Sequence, residues 1–199
     1  MTTPAPGPPS GPFATPPAPL RTARLVLRQA EARDRGRFIA LLSSPEVYAH
    51  LGGARPREEL EQVVPRVPGR RPGVFVIDRD GEMIGTVELK RRGPRRPGHV
   101  RPQGGEVELG YLLLPEAWGH GYAAEACAAV LGLVAATLPG EPVVLCTQVA
   151  NVRSLRLAAR LGFTEVDRFE EWGAEQWFGV WRPGPPLAGG QRVLPVGAD

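Results

Sequence analysis

Residues 106–149 constrain the fold more than any other stretch. "EVELGYLLL" (106–114) starts with alternation and ends on consecutive apolar residues, so its second half needs cover on both faces and belongs inside a sheet. "AAEACAAVLGLVAATL" (123–138) comes next with high helix propensity and an apolar majority, which predicts a largely buried helix. "PVVLCTQV" (142–149) is a second buried strand, and "VRSLRLAARLG" (152–162) an amphipathic helix closed by Gly162. This strand–helix–strand–helix block cannot bury itself. The remaining strands must extend its sheet.

They flank it as hairpins. "GVFVID" and "EMIGTVELK" surround "RDG", where Asp80-Gly81 suits the positive φ of a tight turn. "FTEVDRFEEW" and "EQWFGVWRP" form a second hairpin around Gly173. Upstream, "RLVLRQA" (24–30) predicts a first strand, and "EARDRGRFIALLSS" (31–44) a helix with Phe38, Leu41 and Leu42 on one face. Pro45 is expected to begin a short helix through "PEVYAHL", and "PREELEQVVPRV" (56–67) to form a third that Pro65 stops early. "RRGPRRPGHVRPQGG" (91–105) has no periodicity and reads as a solvated, charged loop. Mixed order of this kind predicts an α/β sheet with helices on both faces.

At 199 residues the chain has room for one sizeable domain. Hydrophobic content of 42% suits a globular core, whereas 23 prolines and 25 glycines exceed what packed structure holds. The excess gathers at the ends. Residues 1–19 read as a disordered Pro-rich tail without the basic and apolar regions of a secretory signal, and 183–199 as a flexible tail in which "QRVLPV" could dock as a strand. The domain is expected over 20–182. No apolar run reaches the roughly 20 residues that span a bilayer, so no membrane partner is expected. Cys127 and Cys146 have neither metal spacing nor the density of a disulfide scaffold, which points to the cytoplasm and no metal. All but one of the 24 basic side chains are arginine, the exception being Lys90, and a net charge of +3 is only mildly basic. The arginine loop lacks interleaved aromatics, which argues against nucleic acid.

The turn "PEAWGHGYAAEA" (115–126) carries the first chemical signal. Gly119 and Gly121 remove side chains where the backbone enters the helix, leaving its first amides and positive dipole end bare for an anion such as phosphate. Gly119-His120-Gly121-Tyr122-Ala123-Ala124 matches a dinucleotide fingerprint, but residues 115–118 separate it from the strand, and "PVVLCTQVAN" offers no carboxylate for a ribose. A P-loop is excluded because no Gly-Lys-Ser/Thr occurs.

With "NVRSLRLAARLGF" (151–163) added, the chain resembles the GNAT N-acetyltransferase superfamily, especially the branch of ribosomal-protein alanine N-acetyltransferases. The resemblance rests on "RLVLR", "ELGYLLLPEAWGHGYAAEA" and "NVRSLRLAARLGF" in that order and runs from about Leu20 to Arg182. It implies a mixed, largely antiparallel sheet splayed open between two parallel strands at 106–114 and 142–149. It implies acetyl-CoA as co-substrate, its pyrophosphate on the turn of Trp118, Gly119, His120, Gly121, Tyr122, Ala123 and Ala124. The pantetheine arm would pair with backbone near Leu112 and Leu113, and the thiol end would lie near Asn151 and Ser154.

Acetyl transfer to an amine needs a neutral amine, although a lysine-like amine has a pKa near 10.4. It needs a fixed donor for the oxyanion, for which the Leu113 N–H is the candidate. An acid at the sulfur helps. Many family members place a tyrosine seven residues after the motif asparagine, where this chain has Ala158. Ser154 lies on the same helical face and is expected to hydrogen-bond the sulfur. For the base, Glu106 and Glu108 share one strand face, and Glu108 matches the family's Glu-x-Gly-Tyr pattern; Glu170 and Glu171 are weaker candidates. Trp172, Trp177 and Trp181 fit a substrate wall or hairpin packing. The expected function is N-acetyl transfer to a primary amine, on a protein N-terminus or a small molecule, by a monomer or homodimer. The alternative is a catalytically weak acyl-CoA-binding module.

Overall fold

A computed structural model describes residues 18–68 and 71–184. Nearly all of both expected tails, with the "QRVLPV" segment, lies outside the described residues. Eight strands form one sheet in the order β1-β2-β3-β4-β5-β6-β8-β7. They are β1 (Leu20–Arg21), β2 (Val26–Arg28), β3 (Val74–Arg79), β4 (Glu82–Arg91), β5 (Val107–Leu113), β6 (Val143–Gln148), β7 (Thr164–Glu171) and β8 (Ala174–Trp181). The helices are α1 (Arg35–Ser43), α2 (Arg57–Val63), α3 (Tyr122–Thr137) and α4 (Val152–Arg160). The short β1 had no signal of its own in the sequence.

Every neighbouring pair is antiparallel except β5 and β6. That pair is joined only at Val107↔Val143 and Glu108↔Val144. Beyond Glu108 the two strands part, although β5 runs on to Leu113 and β6 to Gln148. On the outer side of each arm the ladder continues: β4 accompanies β5 as far as Gly85↔Leu113, and β8 accompanies β6 as far as Gln148↔Gln176. Each arm is therefore braced, and the gap between them is built in.

Alternation along β5 assigns its faces. Val107, Leu109 and Leu113 sit in the main core with Cys127, Val130 and Val134 of α3, and Tyr111 packs against that cluster. Leu112 points the other way, against the cluster of Phe38 and Leu41 from α1. Helices thus cover both faces, as patterning requires.

One local expectation is corrected. Residues 45–52 form successive turns rather than a helix. The Ser44 Oγ accepts from the Val47 N–H, and Gly52 and Gly53 adopt φ of 86° and 94°, so the backbone leaves the helical region within a turn. In the β3–β4 turn Asp80 and Gly81 both take positive φ, 54° and 89°, as a tight hairpin demands. The 91–105 segment is also more than a solvated loop. Arg92 is about 1% exposed, donating Nε to the Gly98 carbonyl at 2.8 Å, while its guanidinium lies 5.0 Å from the Phe178 ring.

Candidate active site

The α3 turn builds an uncapped helix end. Gly119 and Gly121 both take φ near 80°, a conformation that costs any L-residue. Gly121 is the N-cap and has no side chain to bond the first-turn amides. Glu125, one turn in, faces away: its carboxylate accepts from Thr22 Oγ1 at 2.6 Å and from Arg24 Nε at 2.8 Å. Arg24 also donates to the His120 carbonyl at 3.0 Å and lies 4.8 Å from the Tyr122 ring, on which His120 stacks. An arginine almost a hundred residues upstream thus clamps the turn. Nothing local in the sequence marks it.

Hydrogen-bond alternation decides which amides of β5 face the gap. Leu114 donates to the Ile84 carbonyl, and the Leu112 carbonyl lies against Gly85, where an added Cβ would meet it at 2.3 Å. Leu112 is therefore bonded within the β4 ladder, and Tyr111 and Leu113 turn their backbone groups toward the opening. The Leu113 carbonyl is occupied, accepting from Trp118 Nε1 at 2.8 Å. Trp118 is in turn covered by the Arg153 guanidinium at 4.7 Å. The Leu113 N–H lies in the gap, whereas the Leu112 amide does not.

Across the gap, α4 starts on Asn151, whose Oδ1 accepts from the Ser154 N–H at 3.1 Å. Its end is a Schellman motif: Phe163 N–H bonds to Ala158 and Gly162 N–H to Ala159, with Gly162 at φ 84°. Ser154 is 8% exposed, and its Oγ is 2.7 Å from the Tyr111 hydroxyl. Burial pushes the Tyr111 phenol well above its ordinary range, outweighing its hydrogen bond with Ser154. Ala158, fully buried in the core, offers no polar group. In the sequence Tyr111 is only the last residue of the Glu-x-Gly-Tyr pattern. Its pairing with Ser154 joins two segments 43 residues apart.

The two candidate bases separate cleanly. Glu106 is fully buried; one oxygen accepts from His99 Nδ1 at 2.8 Å and the other from the Val100 and Arg101 amides at 2.8 Å. Burial raises its carboxyl, but these donors prevail and hold it below the usual range. It anchors the loop. Glu108 is also buried, with Oε1 2.8 Å from Arg92 Nη1 and 3.5 Å from Arg96 Nη1. Its Oε2 has no hydrogen-bond partner among the described residues, and Lys90 Nζ stands 3.9 Å away. By alternation Glu108 and Tyr111 project from opposite faces of β5: Glu108, at the last position paired with β6, packs against Arg92 and Arg96 on the face of Leu112, and Tyr111 lies with Ser154 on the α3–α4 face.

Other candidates are placed elsewhere. Glu171 pairs with Arg96 at 2.9 Å, and Glu170 is exposed. Trp177 is in the main core and Trp181 packs against it, whereas Trp172 is exposed at the hairpin tip, 4.9 Å from the Arg96 guanidinium. Burial raises the thiols of Cys127 and Cys146, consistent with inert packing. Arg91 and Arg101 both engage Glu141, so the loop spends much of its charge internally.

The model of the acetyltransferase (GNAT) domain family matches residues 24–164. A curated relative, the uncharacterized N-acetyltransferase YoaA of Bacillus subtilis, is 28% identical over 154 residues, covering 72% of this chain and 81% of the relative. An acetyltransferase of the GNAT family from Bacillus anthracis superposes with a TM-score of 0.68 at 17% identity, covering 83% of this chain and 98% of that one. The Salmonella typhimurium acetyltransferase described as modifying the N-terminal serine of ribosomal protein L7/L12 has a TM-score of 0.61 at 15% identity, with 82% and 97% covered. Family match, sheet order and the opened β5–β6 pair agree: the chain belongs to the GNAT acetyltransferase family.

Proposed function

We propose that this acetyltransferase moves an acetyl group from acetyl-CoA directly to a primary amine within a ternary complex, the acceptor being a protein N-terminal amine or a small-molecule amine. The observation that carries the reading is the opened β5–β6 pair, with the uncapped α3 turn at one end and Ser154 at its mouth. The residues fit the co-substrate on this structure's own terms. Gly119 has open space where a Cβ would stand, and the first-turn amides through Ala124 lack a side-chain cap. Likeness in fold to an enzyme that modifies an N-terminal serine supports the α-amine acceptor. A cytoplasmic setting belongs to the same reading, supported by two free thiols.

Acetyl-CoA would supply an activated acetyl group on a leaving thiolate. The turn from Gly119 to Ala124 would hold the pyrophosphate, with Trp118 and His120 flanking it. The Leu113 N–H is the donor for the developing oxyanion, fixed by its strand so that little reorganisation is needed. Ser154 would hydrogen-bond the sulfur, and Asn151 positions it by capping α4. Glu108 is the base, through its unpartnered Oε2 and a water, while Arg92 holds Oε1.

The second reading, an acyl-CoA-binding module with weak catalysis, draws on Ala158, which is buried without a hydroxyl. Release of free CoA thiol across a panel of amines and N-terminal peptides separates the two. Turnover with any amine supports the enzyme. Tight acetyl-CoA binding with none supports the module.

A further inference from the structure

We infer that Tyr111 is a positioning residue for thiol departure: its phenol donates to the Ser154 Oγ, which leaves the serine's own hydrogen directed at the sulfur. This rests on the acetyl-transfer reading above and adds to it a residue and a hydrogen-bond direction. The Tyr111–Ser154 bond, 2.7 Å, is the one side-chain hydrogen bond between β5 and the β6–α4 arm among the described residues. It therefore bridges the two arms where the sheet opens. Donor strength gives the direction. A phenol, with a pKa of about 10, is a stronger donor than an aliphatic hydroxyl, and the serine oxygen is the better acceptor, so the 2.7 Å contact runs from Tyr111 to Ser154. With Tyr111 donating, the serine hydrogen is the one left uncommitted among the described residues.

The chemistry balances without either hydroxyl being consumed. The amine nitrogen forms the bond to the acetyl carbon, the C–S bond breaks, and its electron pair goes to sulfur. The Ser154 O–H donates to that growing charge. Full transfer of the Tyr111 proton would leave a phenolate in the core, which burial opposes. The proton shed by the amine neutralises the thiolate through water. Tyr111 acts by orientation and by polarising the serine.

The test is a double-mutant cycle on the full chain, read by CoA thiol release. Tyr111→Phe keeps the ring in the core and removes the donor; kcat should fall about tenfold with the acetyl-CoA KM within about twofold, since the bond matters in the transition state. In a Ser154→Ala background the same substitution should change kcat by less than about twofold, because the group it orients is gone. Equal losses in both backgrounds would assign Tyr111 to packing alone and overturn the inference, as would full activity of Tyr111→Phe. If that variant melts early, fluorotyrosine at position 111 keeps shape and hydroxyl while strengthening the donor: a raised kcat with Ser154 present, and none without it, supports the inference. An unchanged kcat opposes it. A wild-type chain without turnover on any amine removes the acetyl-transfer reading, and this inference with it; an active wild type with additive losses removes only the inference.

Discussion

At the scale of single residues, Gly121 and Glu108 show how the same side chain looks different in sequence and in structure. In sequence Gly121 reads as a space-maker. In the fold an added Cβ would meet only Arg24 Nη2 at 3.5 Å, ordinary contact, so what requires glycine is φ of 80°. Gly121→Val should twist the turn and its amides out of position and weaken acetyl-CoA binding by at least about tenfold, or about 1.4 kcal/mol. Calorimetry on the folded variant measures this, and unchanged affinity would remove the turn from the site. Glu108 is a different case, because one oxygen is committed to Arg92 and the other, also buried, accepts no hydrogen bond among the described residues. Glu108→Gln keeps an acceptor for Arg92 but removes the base. Its rate should be depressed most at neutral pH and recover as pH rises and the neutral amine fraction grows. A pH–rate profile showing one constant loss throughout would instead make Glu108 a tether.

At the scale of elements, α4 is where stability and chemistry share a cap. Asn151 bonds the same residue, Ser154, whose hydroxyl meets Tyr111. Asn151→Ala should cost about 1 kcal/mol. For a domain of this size that lowers the melting temperature by about 2–4 °C. Because the first turn then frays, kcat should fall further than stability alone explains. Thermal melting beside kinetics checks both, and a loss of stability with full activity would separate the cap from the site. The hairpins behaved as their turns predicted. Only 45–52, which runs into Gly52 and Gly53 at positive φ, departed from its expected helix.

At the scale of the whole molecule, buried ion pairs fasten distant segments to one sheet. Arg28 holds Asp34 through both terminal nitrogens, at 2.7 and 2.9 Å, and Asp78 through Nε at 2.7 Å, tying β2, the entry to α1 and β3 together. Burial works against the Asp34 carboxylate, but Arg28 and the Glu31 amide prevail and depress its pKa. Glu106 is depressed likewise by His99 and two loop amides. A depressed carboxyl contributes stability that is present above its unfolded value, near 4, and lost as pH falls through the lower folded value. The urea midpoint should therefore fall steeply below about pH 4. Asp34→Asn should cost about 2 kcal/mol at pH 7, since the terminal nitrogens of buried Arg28 lose their charged partner while Asp78 still holds Nε, and should flatten that acid slope. A midpoint indifferent to acid would contradict the assignment.

Periodicity and local conformation were legible in the sequence alone. The β5 run, apolar on consecutive residues, had to be interior; Asp80-Gly81 and Gly162 had to take positive φ; the Gly-x-Gly turn had to bare a helix end. Those are properties of neighbours along the chain, and the family's motifs are written in them. Tertiary structure decided what depends on partners far apart in sequence. Glu106 and Glu108 are two residues apart on one strand face and could not be told apart by spacing. The loop's amides occupy one, and Arg92 takes one oxygen of the other and leaves its second without a hydrogen bond. Tyr111 meets Ser154, and Arg24 clamps the His120 carbonyl, only because the sheet brings them together. Local pattern limits which groups can reach a site, but only packing shows which of their lone pairs and hydrogens are already spent.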